Sequence, residues 1–288
     1  MHARDANLKK QNSGVSTRPV EKRVIDTVKW VTDNYDIDPN RVYLSGNSMG
    51  GSGALGIGLR HGNIFAAIKA NVPAGIEHAD QRMSFSDFKK SENLNLPDPP
   101  ITLNYSGQND GWSFGHDRFV KAMNERKYPL YFYWGAFGHA NNHARILKVN
   151  DLINSFDWLN VRKNQAYPVF TNASCNSKLP WPDNLKDKKS GQLNAFFRWR
   201  SISDTEKVFK ISLFMISSDQ LKTEFKIPEK ATADVSLRRL QRIKFNEGDS
   251  VKWSFGKVDG ETIIGSDEIF TVKNLNLTST PQTLSINK

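Results

Sequence analysis

The pattern of hydrophobic and polar positions divides the chain into two halves of different character. In the first half, short apolar runs alternate with segments whose apolar residues recur at helical spacing. From residue 193 onward, apolar residues mostly alternate with polar ones in short runs, which is typical of strands with one buried face. The pattern therefore predicts an α/β first half and an all-β second half.

The first half contains the elements of a small parallel sheet with helices on both faces. Helical spacing of apolar residues predicts a helix from Pro19 to Tyr35, with Ser16 or Thr17 as its N-cap. Strand-like runs cover residues 41–45, 101–107 and 130–134, and further helical segments cover residues 51–59, 118–126 and 152–159. Strands that alternate with helices in this way are typical of βα units.

The second half is predicted to form a small β-sandwich. About seven short strands in about 100 residues, separated by turn residues, are typical of that architecture and resemble fibronectin type III or immunoglobulin-like modules. Glu247–Asp249 and Asp259–Gly260 carry turn signals. Residues 161–192 are rich in Asn, Lys, Pro and Ser and predict a linker, with room for one short strand at Pro168–Thr171. The predicted domains are an α/β domain at residues 1–160, the linker, and a β-sandwich at residues 193–288.

One pentapeptide in the first half carries a chemical signal. Gly46-Asn47-Ser48-Met49-Gly50 has the pattern G-x-S-x-G and lies between a predicted strand and a predicted helix. A sharp strand-to-helix turn holds its serine in a strained conformation, and the glycines on either side leave the steric room that this turn needs. Ser48 is therefore predicted to be a nucleophile at the carboxyl edge of the sheet.

A serine nucleophile needs a base and an acid, and the chain offers both in the expected order. Asp110 follows the strand-like run 101–107, and His139 follows the run 130–134. Both fall just past the carboxyl ends of strands, where open α/β sheets place their ligand crevice. The histidine would take the serine proton as attack proceeds, while the carboxylate fixes the imidazole tautomer. Ser48, Asp110 and His139 are the predicted triad.

Other residues compete for two of these roles. Asp117 is an alternative acid, although it falls at the start of the predicted helix 118–126. The alternative histidines are His143, further into the loop or the next helix; His116, in the acid loop, where it would line the site; and His61, at the C-terminal end of the helix after Ser48, where its charge meets the helix dipole.

Neighbours of the triad are predicted to shape the site. The backbone N–H of Met49 would donate to the oxyanion of the tetrahedral intermediate. Trp112 and Phe137 flank the acid and the base and would line an acyl or aromatic pocket, or else pack beneath the loops. No spacing of His, Cys and Asp suggests zinc, and no glycine-rich loop suits a phosphate or dinucleotide, so no metal or cofactor is implied.

The segment around the nucleophile resembles a known group of enzymes. The run from Ile37 to Gly51, followed by Phe65-Ala66-Ala67-Ile68, is similar to α/β-hydrolase esterases related to feruloyl esterases, polyhydroxybutyrate depolymerases and prolyl-oligopeptidase-like hydrolases. The resemblance covers residues 19–159 and implies the α/β-hydrolase fold and serine hydrolysis. It does not distinguish among substrates.

The chain departs from that group ahead of the nucleophile. Such folds place several strands before the serine, and a loop after one of them carries the second oxyanion donor, often in an H-G-G-G motif. Only 47 residues precede Ser48, and no H-G-G motif occurs. The strand at residues 41–45 would then be an unpaired apolar edge, which invites pairing with another chain. We therefore expect either an N-terminally truncated hydrolase or a homodimer joined through that edge.

Composition narrows the classes of partner. The chain has 288 residues and a net charge of +10, with the excess concentrated in the second half but interspersed with acidic residues. Arg238-Arg239, with Arg242 and Lys244, forms the densest basic patch, which predicts a solvated strand face rather than a nucleic-acid site; an anionic polysaccharide is an alternative partner. No apolar run is long enough to span a membrane. No signal peptide is visible and the single Cys175 excludes an internal disulfide, so a secreted or periplasmic location is left open.

Together these signals predict a serine hydrolase with a C-terminal β-sandwich. The expected activity is that of a carboxylesterase acting on carbohydrate-linked or polymer esters. A prolyl-oligopeptidase-like peptidase is an alternative, because the same triad would serve it. A non-catalytic polysaccharide-binding protein is the alternative from another class, and the absence of the oxyanion motif favours it.

Overall fold

The computed structural model describes residues 17–73, 79, 96–139, 151–181 and 190–288. Within these ranges the first half alternates helices with strands, and the predicted boundaries agree with the observed ones to within two residues at each end through the strand at residue 130. The elements are helix α1 (Pro19–Asn34), strand β1 (Tyr43–Asn47), helix α2 (Met49–Arg60), strands β2 (Ala67–Asn71) and β3 (Ile101–Gly107), helix α3 (His116–Glu125) and strand β4 (Leu130–Gly135).

The strands of the first half form a mixed sheet. Strands β1, β2, β3 and β4 lie in that order, and each neighbouring pair is parallel. A short strand, β6 (Gly191–Leu193), adds to β4 in the antiparallel direction. All residues of β3 and β4 are buried, as in sheets that are covered on both faces. Because β1 to β4 are parallel, the segments that follow them start from one common edge of the sheet.

The two faces of this sheet are covered differently. Phe132 and Trp134 of β4 point into a core cluster that also contains side chains of α1, α2 and α3. The alternate residues Tyr131 and Tyr133 belong to a second cluster, which they share with Phe156 and with the strands of the second half. The expectation of helices on both faces is thus met in part. Helical residues 151–155, directly before Phe156, share the second face with β-strands.

The second half forms antiparallel sheets. Its strands are β5 (Tyr167–Thr171), β7 (Phe197–Asp204), β8 (Val208–Met215), β9 (Lys230–Arg238), β10 (Ser250–Phe255), β11 (Val258–Ile263), β12 (Thr271–Thr278) and β13 (Gln282–Asn287). A five-stranded sheet has the order β11-β10-β13-β8-β7, and a three-stranded sheet has the order β12-β9-β5. Residues from both sheets belong to one hydrophobic cluster, so the sheets share a core.

Two details of the second half differ from the sequence pattern. Residues 161–192 include β5, the short strand expected at residues 168–171, which pairs with β9, and also the first part of β6, which was not predicted and pairs with β4. Pro168 is accommodated because β5 is an edge strand, where a missing N–H is tolerated. The turn predicted at Asp259–Gly260 is wrong, because these residues lie inside β11 and the chain reverses at Gly256, whose φ is +61°. Gly260 instead leaves room for the ring of Trp253.

Two arginines of the densest basic patch, Arg238 and Arg239, connect the two halves, whereas Arg242 and Lys244 of the same patch are exposed, as predicted for a solvated face. The Arg238 Nη1 lies 3.0 Å from a carboxylate oxygen of Asp98, and its Nη2 donates to the carbonyl of Arg126 at 2.6 Å. Arg239 is 6% exposed, and its Nη2 donates to the carbonyl of Phe65 at 3.3 Å. Both guanidinium groups therefore have structural roles.

Phe156 joins the cores of the two halves. Its ring centroid lies 4.4 Å from that of Tyr131 in β4 and 5.3 Å from that of Trp199 in β7. The guanidinium of Arg198 lies 5.5 Å from the same ring, and Phe156 is 3% exposed. Since one side chain contacts both parts, the mixed sheet and the antiparallel sheets should unfold together.

We predict that Phe156→Ala destabilises both halves at once. Removing a buried phenylalanine ring costs about 3–5 kcal/mol, and calorimetry should show a single unfolding transition at a lower temperature. Val258→Ala is the matched control, because Val258 is 58% exposed and its truncation should change stability by less than about 0.5 kcal/mol. Two separate transitions, one of them unaffected by Phe156→Ala, would contradict a shared core.

Candidate active site

Ser48 lies at the turn between β1 and α2. Its backbone has φ 56° and ψ −120°, a conformation that residues other than glycine rarely adopt. The neighbouring strand holds the turn in place, because the Ser48 N–H donates to the carbonyl of Asn71 at the end of β2, at 2.9 Å. Backbone strain of this kind persists where the surrounding structure fixes it, and it clusters at functional sites.

The glycines around Ser48 have different roles. A Cβ on Gly46 would lie 2.1 Å from the carbonyl oxygen of Gly50, and a Cβ on Gly51 would lie 2.8 Å from that of Asn71. No atom lies within 4 Å of the corresponding position on Gly50. The expectation that both glycines of the motif supply steric room is therefore wrong for Gly50. The second close approach is at Gly51, where the first turn of α2 passes against β2.

Ser48, His139 and Asp110 form a continuous chain of hydrogen bonds. The Ser48 Oγ lies 2.8 Å from His139 Nε2, and His139 Nδ1 lies 2.6 Å from Asp110 Oδ2. The Asp110 side chain is 2% exposed, whereas that of His139 is 35% exposed. A carboxylate can only accept, so the proton of the neutral imidazole lies on Nδ1, and Nε2 accepts from the serine hydroxyl. In this tautomer the imidazole can take the proton of Ser48.

The acid and the base lie on two loops that are bonded to each other. Asp110 precedes a short 3₁₀ turn, Gly111–Ser113, and its Oδ1 accepts the N–H of Trp112 at 2.9 Å. The N–H of Asn109 donates to the carbonyl of Phe137, two residues before the base, at 3.1 Å. Both carboxylate oxygens of Asp110 therefore have partners, and the loops are fixed relative to each other.

The two predicted pocket residues have different environments. Trp112 is 44% exposed, and its ring centroid lies 5.6 Å from that of His139, so it forms a wall of the open site. Phe137 is 4% exposed, stacks on Tyr105 at 5.3 Å and covers Gly107. The structure therefore places Phe137 beneath the loops, where it has little surface to offer a ligand. Glycine at position 107 is what leaves room for its ring.

Met49 is the first residue of α2 and directly follows Ser48. The first four N–H groups of a helix have no acceptor within the helix, so the Met49 N–H can bind a ligand oxygen. The N-terminus of α2 also carries partial positive charge, which would favour an oxygen on which negative charge develops.

Two of the competing histidines, His61 and His116, are hydrogen-bonded to other groups. Asp117 lies in the first turn of α3. His61 is the C-cap residue of α2, and its Nε2 lies 2.6 Å from the buried carboxylate of Glu21. His116 is fully buried at the start of α3 and is bonded on both ring nitrogens. His143 lies outside the described residues.

Two residues that shape the turn at Ser48 were not predicted from the sequence. The side chain of Asn71 donates to Asn47 Oδ1 at 2.8 Å, in addition to the carbonyl contact with Ser48. Val72 has φ 40°, which is sterically costly for a β-branched residue, and its N–H donates to the carbonyl of Tyr105 at 2.6 Å. Positive φ at valine leaves no trace in periodicity. Asn71 could have been found as the last residue of the strand next to β1.

Metal ligands do not cluster in the part of the chain that the structure describes. Those residues contain no group of three or more His, Cys, Asp or Glu side chains that could hold a metal ion. The helices within the same ranges are too short or too polar to cross a membrane.

Part of the first half matches a protein family. Residues 20–86 match the family model whose description is "Putative esterase". This segment contains α1, β1, α2 and β2, and with them the turn at Ser48. The surroundings of Ser48 therefore resemble those of esterases. No curated protein matches the chain significantly.

Several solved structures are similar to this chain. S-formylglutathione hydrolase from Staphylococcus aureus is 16% identical over 48% of this chain and 59% of its own length, with a TM-score of 0.37. Esterase B from Lactobacillus rhamnosis is 15% identical over 50% of this chain and 63% of its own, also with a TM-score of 0.37. A ferulic acid esterase is 20% identical over 44% and 57%, with a TM-score of 0.34. The chain spans less than two thirds of each, and likenesses at these scores carry no argument about function.

We predict that Gly46→Ala destabilises the protein and that Gly50→Ala does not. The first places a methyl group against backbone atoms that cannot move independently, so it should destabilise the fold by several kcal/mol, on the order of an overpacked core site or more. The second adds a methyl group in open space near the start of a helix and should leave stability unchanged or raise it by up to about 1 kcal/mol. Denaturant unfolding measures both. Equal losses would contradict the observed packing of the turn.

Proposed function

We propose that this protein is a serine hydrolase that cleaves carboxylic esters through an acyl-enzyme. The observation that carries the proposal is the continuous chain of hydrogen bonds from Ser48 through His139 to Asp110. The esterase family match over residues 20–86 supports it, because that segment contains the nucleophile turn.

Each group has a defined step in this reaction. As Ser48 attacks the ester carbonyl, Nε2 of His139 removes the hydroxyl proton and then gives it to the leaving alcohol. In the second half-reaction His139 takes a proton from water as the water oxygen attacks the acyl carbonyl. The tetrahedral intermediate then breaks its bond to Ser48 Oγ and releases the acid, and His139 returns the proton to Ser48. Asp110 holds the imidazole tautomer and stabilises the imidazolium. The Met49 N–H donates to the oxyanion in both tetrahedral intermediates.

The rim of the site favours an apolar or aromatic acyl group. Met49, Trp112 and Phe114 are 55%, 44% and 58% exposed, and each lies within four residues of Ser48 or Asp110 in the sequence. Large exposed apolar side chains beside a reactive group are natural contacts for an apolar part of a ligand. We therefore propose esters of hydrophobic or aromatic acids, carried on a carbohydrate or a polymer.

Two other functions use the same features. A prolyl-oligopeptidase-like peptidase would use the same three residues on an amide. A polysaccharide-binding protein would keep the fold without turnover, with the antiparallel sheets as its docking part. Neither has an observation in its favour as specific as the esterase match at residues 20–86.

We also propose that β1 pairs with a strand from a second copy of the chain. In the described part of the sheet β1 is an edge strand, and none of its residues is fully buried. The preceding helix α1 exposes Trp30 at its C-terminal end, and Tyr35 follows, at 56% and 59% exposure. Unpaired strand groups beside exposed aromatic side chains favour association through this edge.

The triad assignment predicts the effect of three substitutions on short-chain nitrophenyl ester hydrolysis. Ser48→Ala should abolish turnover, and Asp110→Asn should lower kcat by about 10⁴-fold because the imidazole would hold the wrong tautomer. Asp117→Asn is the matched control and should retain the wild-type kcat, since it removes a carboxylate that lies in α3, outside the chain of hydrogen bonds from Ser48 to Asp110.

Comparison of kcat/KM on feruloyl, acetyl and aliphatic polyester substrates identifies the acyl group. Equal rates for the wild type and Ser48→Ala would eliminate the enzyme.

The edge proposal predicts a dimer in solution. The measured mass should be twice the chain mass of 32.6 kDa, and Ser45→Lys, at an exposed position of β1, should yield a monomer because a charged edge resists strand pairing. Ile263→Lys introduces the same charge on β11, an edge strand of the five-stranded sheet, and should leave the dimer intact. A stable wild-type monomer with full esterase activity would rule out this dimer.

A further inference from the structure

A second imidazole lies behind the catalytic loops and has no part in the reaction proposed above. His116 is the first residue of α3 and is 0% exposed. Its ring packs against those of Phe132 and Trp181, with centroids at 5.3 Å and 5.1 Å and interplanar angles of 20° and 27°, and the Phe132 and Trp181 centroids themselves lie 5.7 Å apart. A polar ring buried among aromatic side chains needs partners for both nitrogens.

Both nitrogens of His116 have such partners, and the partners fix its tautomer. The Nδ1 lies 2.5 Å from the carbonyl oxygen of Ser113, which can only accept, so Nδ1 carries the proton. The Nε2 lies 2.8 Å from the Oγ of Ser106 in β3, whose hydroxyl donates to it. One neutral imidazole therefore connects a sheet strand to the end of the 3₁₀ turn that follows Asp110.

The same turn is bonded onward to the catalytic acid. The Ser113 hydroxyl donates to the backbone carbonyl of Asp110 at 2.6 Å, and the Trp181 Nε1–H donates to the hydroxyl oxygen (Oγ) of Ser113 at 3.1 Å. Ser113, Trp181 and Asp110 are each less than 5% exposed. Water therefore does not compete with these bonds, and the position of Asp110 is set by groups that are themselves buried and paired.

We propose that His116 is a positioning residue of the active site, which holds the Asp110 loop on β3 so that the carboxylate meets His139. The expected loss of kcat rests on the proposed function, whereas the hydrogen bonds of His116 do not depend on it. His116 acts through Ser113 and touches no reacting atom. The charged groups near it are Asp110 and Asp117.

The state of His116 suits a fixed clamp rather than a proton carrier. Burial lowers its pKa to about 4, against the opposite influence of the Ser113 carbonyl and of Asp110 and Asp117. The ring therefore stays neutral, and its two hydrogen bonds keep their direction, throughout the pH range in which a serine hydrolase works. The two histidines therefore have separate tasks. His139, whose partner is the carboxylate of Asp110, is the proposed base, and His116, whose partner is the carbonyl of Ser113, holds the loop.

Three variants test the clamp. His116→Phe keeps a stacked ring and removes both hydrogen bonds, and kcat should fall about 10- to 100-fold, because a small misplacement of a catalytic group costs this much; KM should stay within about twofold. His116→Asn keeps a donor at the place of Nδ1 and should restore most of kcat. His61→Gln, which changes an imidazole bonded to Glu21 outside the site, is the matched control and should retain the wild-type kcat.

A proton NMR measurement makes the test independent of turnover. The His139 Nδ1–H, bonded to Asp110, should give a low-field resonance in the wild type that shifts or broadens in His116→Phe and returns in His116→Asn. If the wild type proves inactive on esters, the proposed function fails while this resonance still decides the clamp. If His116→Phe does not fold, Ser113→Ala, which removes the bond to the Asp110 carbonyl, should lower kcat about tenfold and disturb the same resonance. A folded variant with wild-type kcat and an unchanged resonance would overturn the proposal.

Discussion

The hydrogen bond between Ser48 Oγ and His139 Nε2 is the contact on which the rest of the site depends. It forms because a strand ends and a helix begins within a single residue, which puts the serine at φ 56° and points its hydroxyl along the carboxyl edge of the sheet. Such a turn is tolerable where backbones can approach closely, as they do at Gly46 and Gly51. The carbonyl of Asn71, on the neighbouring strand, then holds the Ser48 N–H and fixes the turn.

The positions of the acid and the base follow from the same sheet. In a parallel sheet the loops after neighbouring strands meet at one edge, so Asp110 and His139 could be placed from strand ends and chain order before any contact was known. The helices of the first half were predictable for a related reason, since their apolar stripes record burial on one face. Local periodicity and chain order were enough wherever the determining interaction was close in sequence or repeated along a strand.

Other features depend on contacts between distant residues and left no local pattern. The burial of Phe137 depends on the absence of side chains at Gly107 and Gly135, on two different strands. His116 lay in the acid loop by position alone, and its partners Ser106 and Trp181 come from a strand and from a segment 65 residues further along the chain. Strand β6 was not predicted, because it begins in a polar segment and its partner β4 lies far away in the sequence. Periodicity records what one segment buries, but not which segment buries it.

The shared core ties the second half of the chain to the chemistry of the first. Tyr105 and Phe137, which lie under the acid and base loops, belong to the same hydrophobic cluster as the inward residues of the antiparallel sheets. The geometry of the triad is therefore supported from one side by helices and from the other by β-strands. Loss of packing in the second half would reach the loops that carry Asp110 and His139 through this cluster.

Covalent labelling of the folded protein by an organophosphonate ester tests the central claim most directly, because it requires a nucleophilic serine with a functioning base and no knowledge of the natural substrate. Intact mass and peptide mapping should show one adduct, on Ser48, that forms at least about a hundredfold more slowly when His139 is replaced by glutamine, in keeping with the contribution of a general base. An unlabelled protein, or an adduct on another residue at a rate that does not depend on His139, would contradict a nucleophile activated by this histidine.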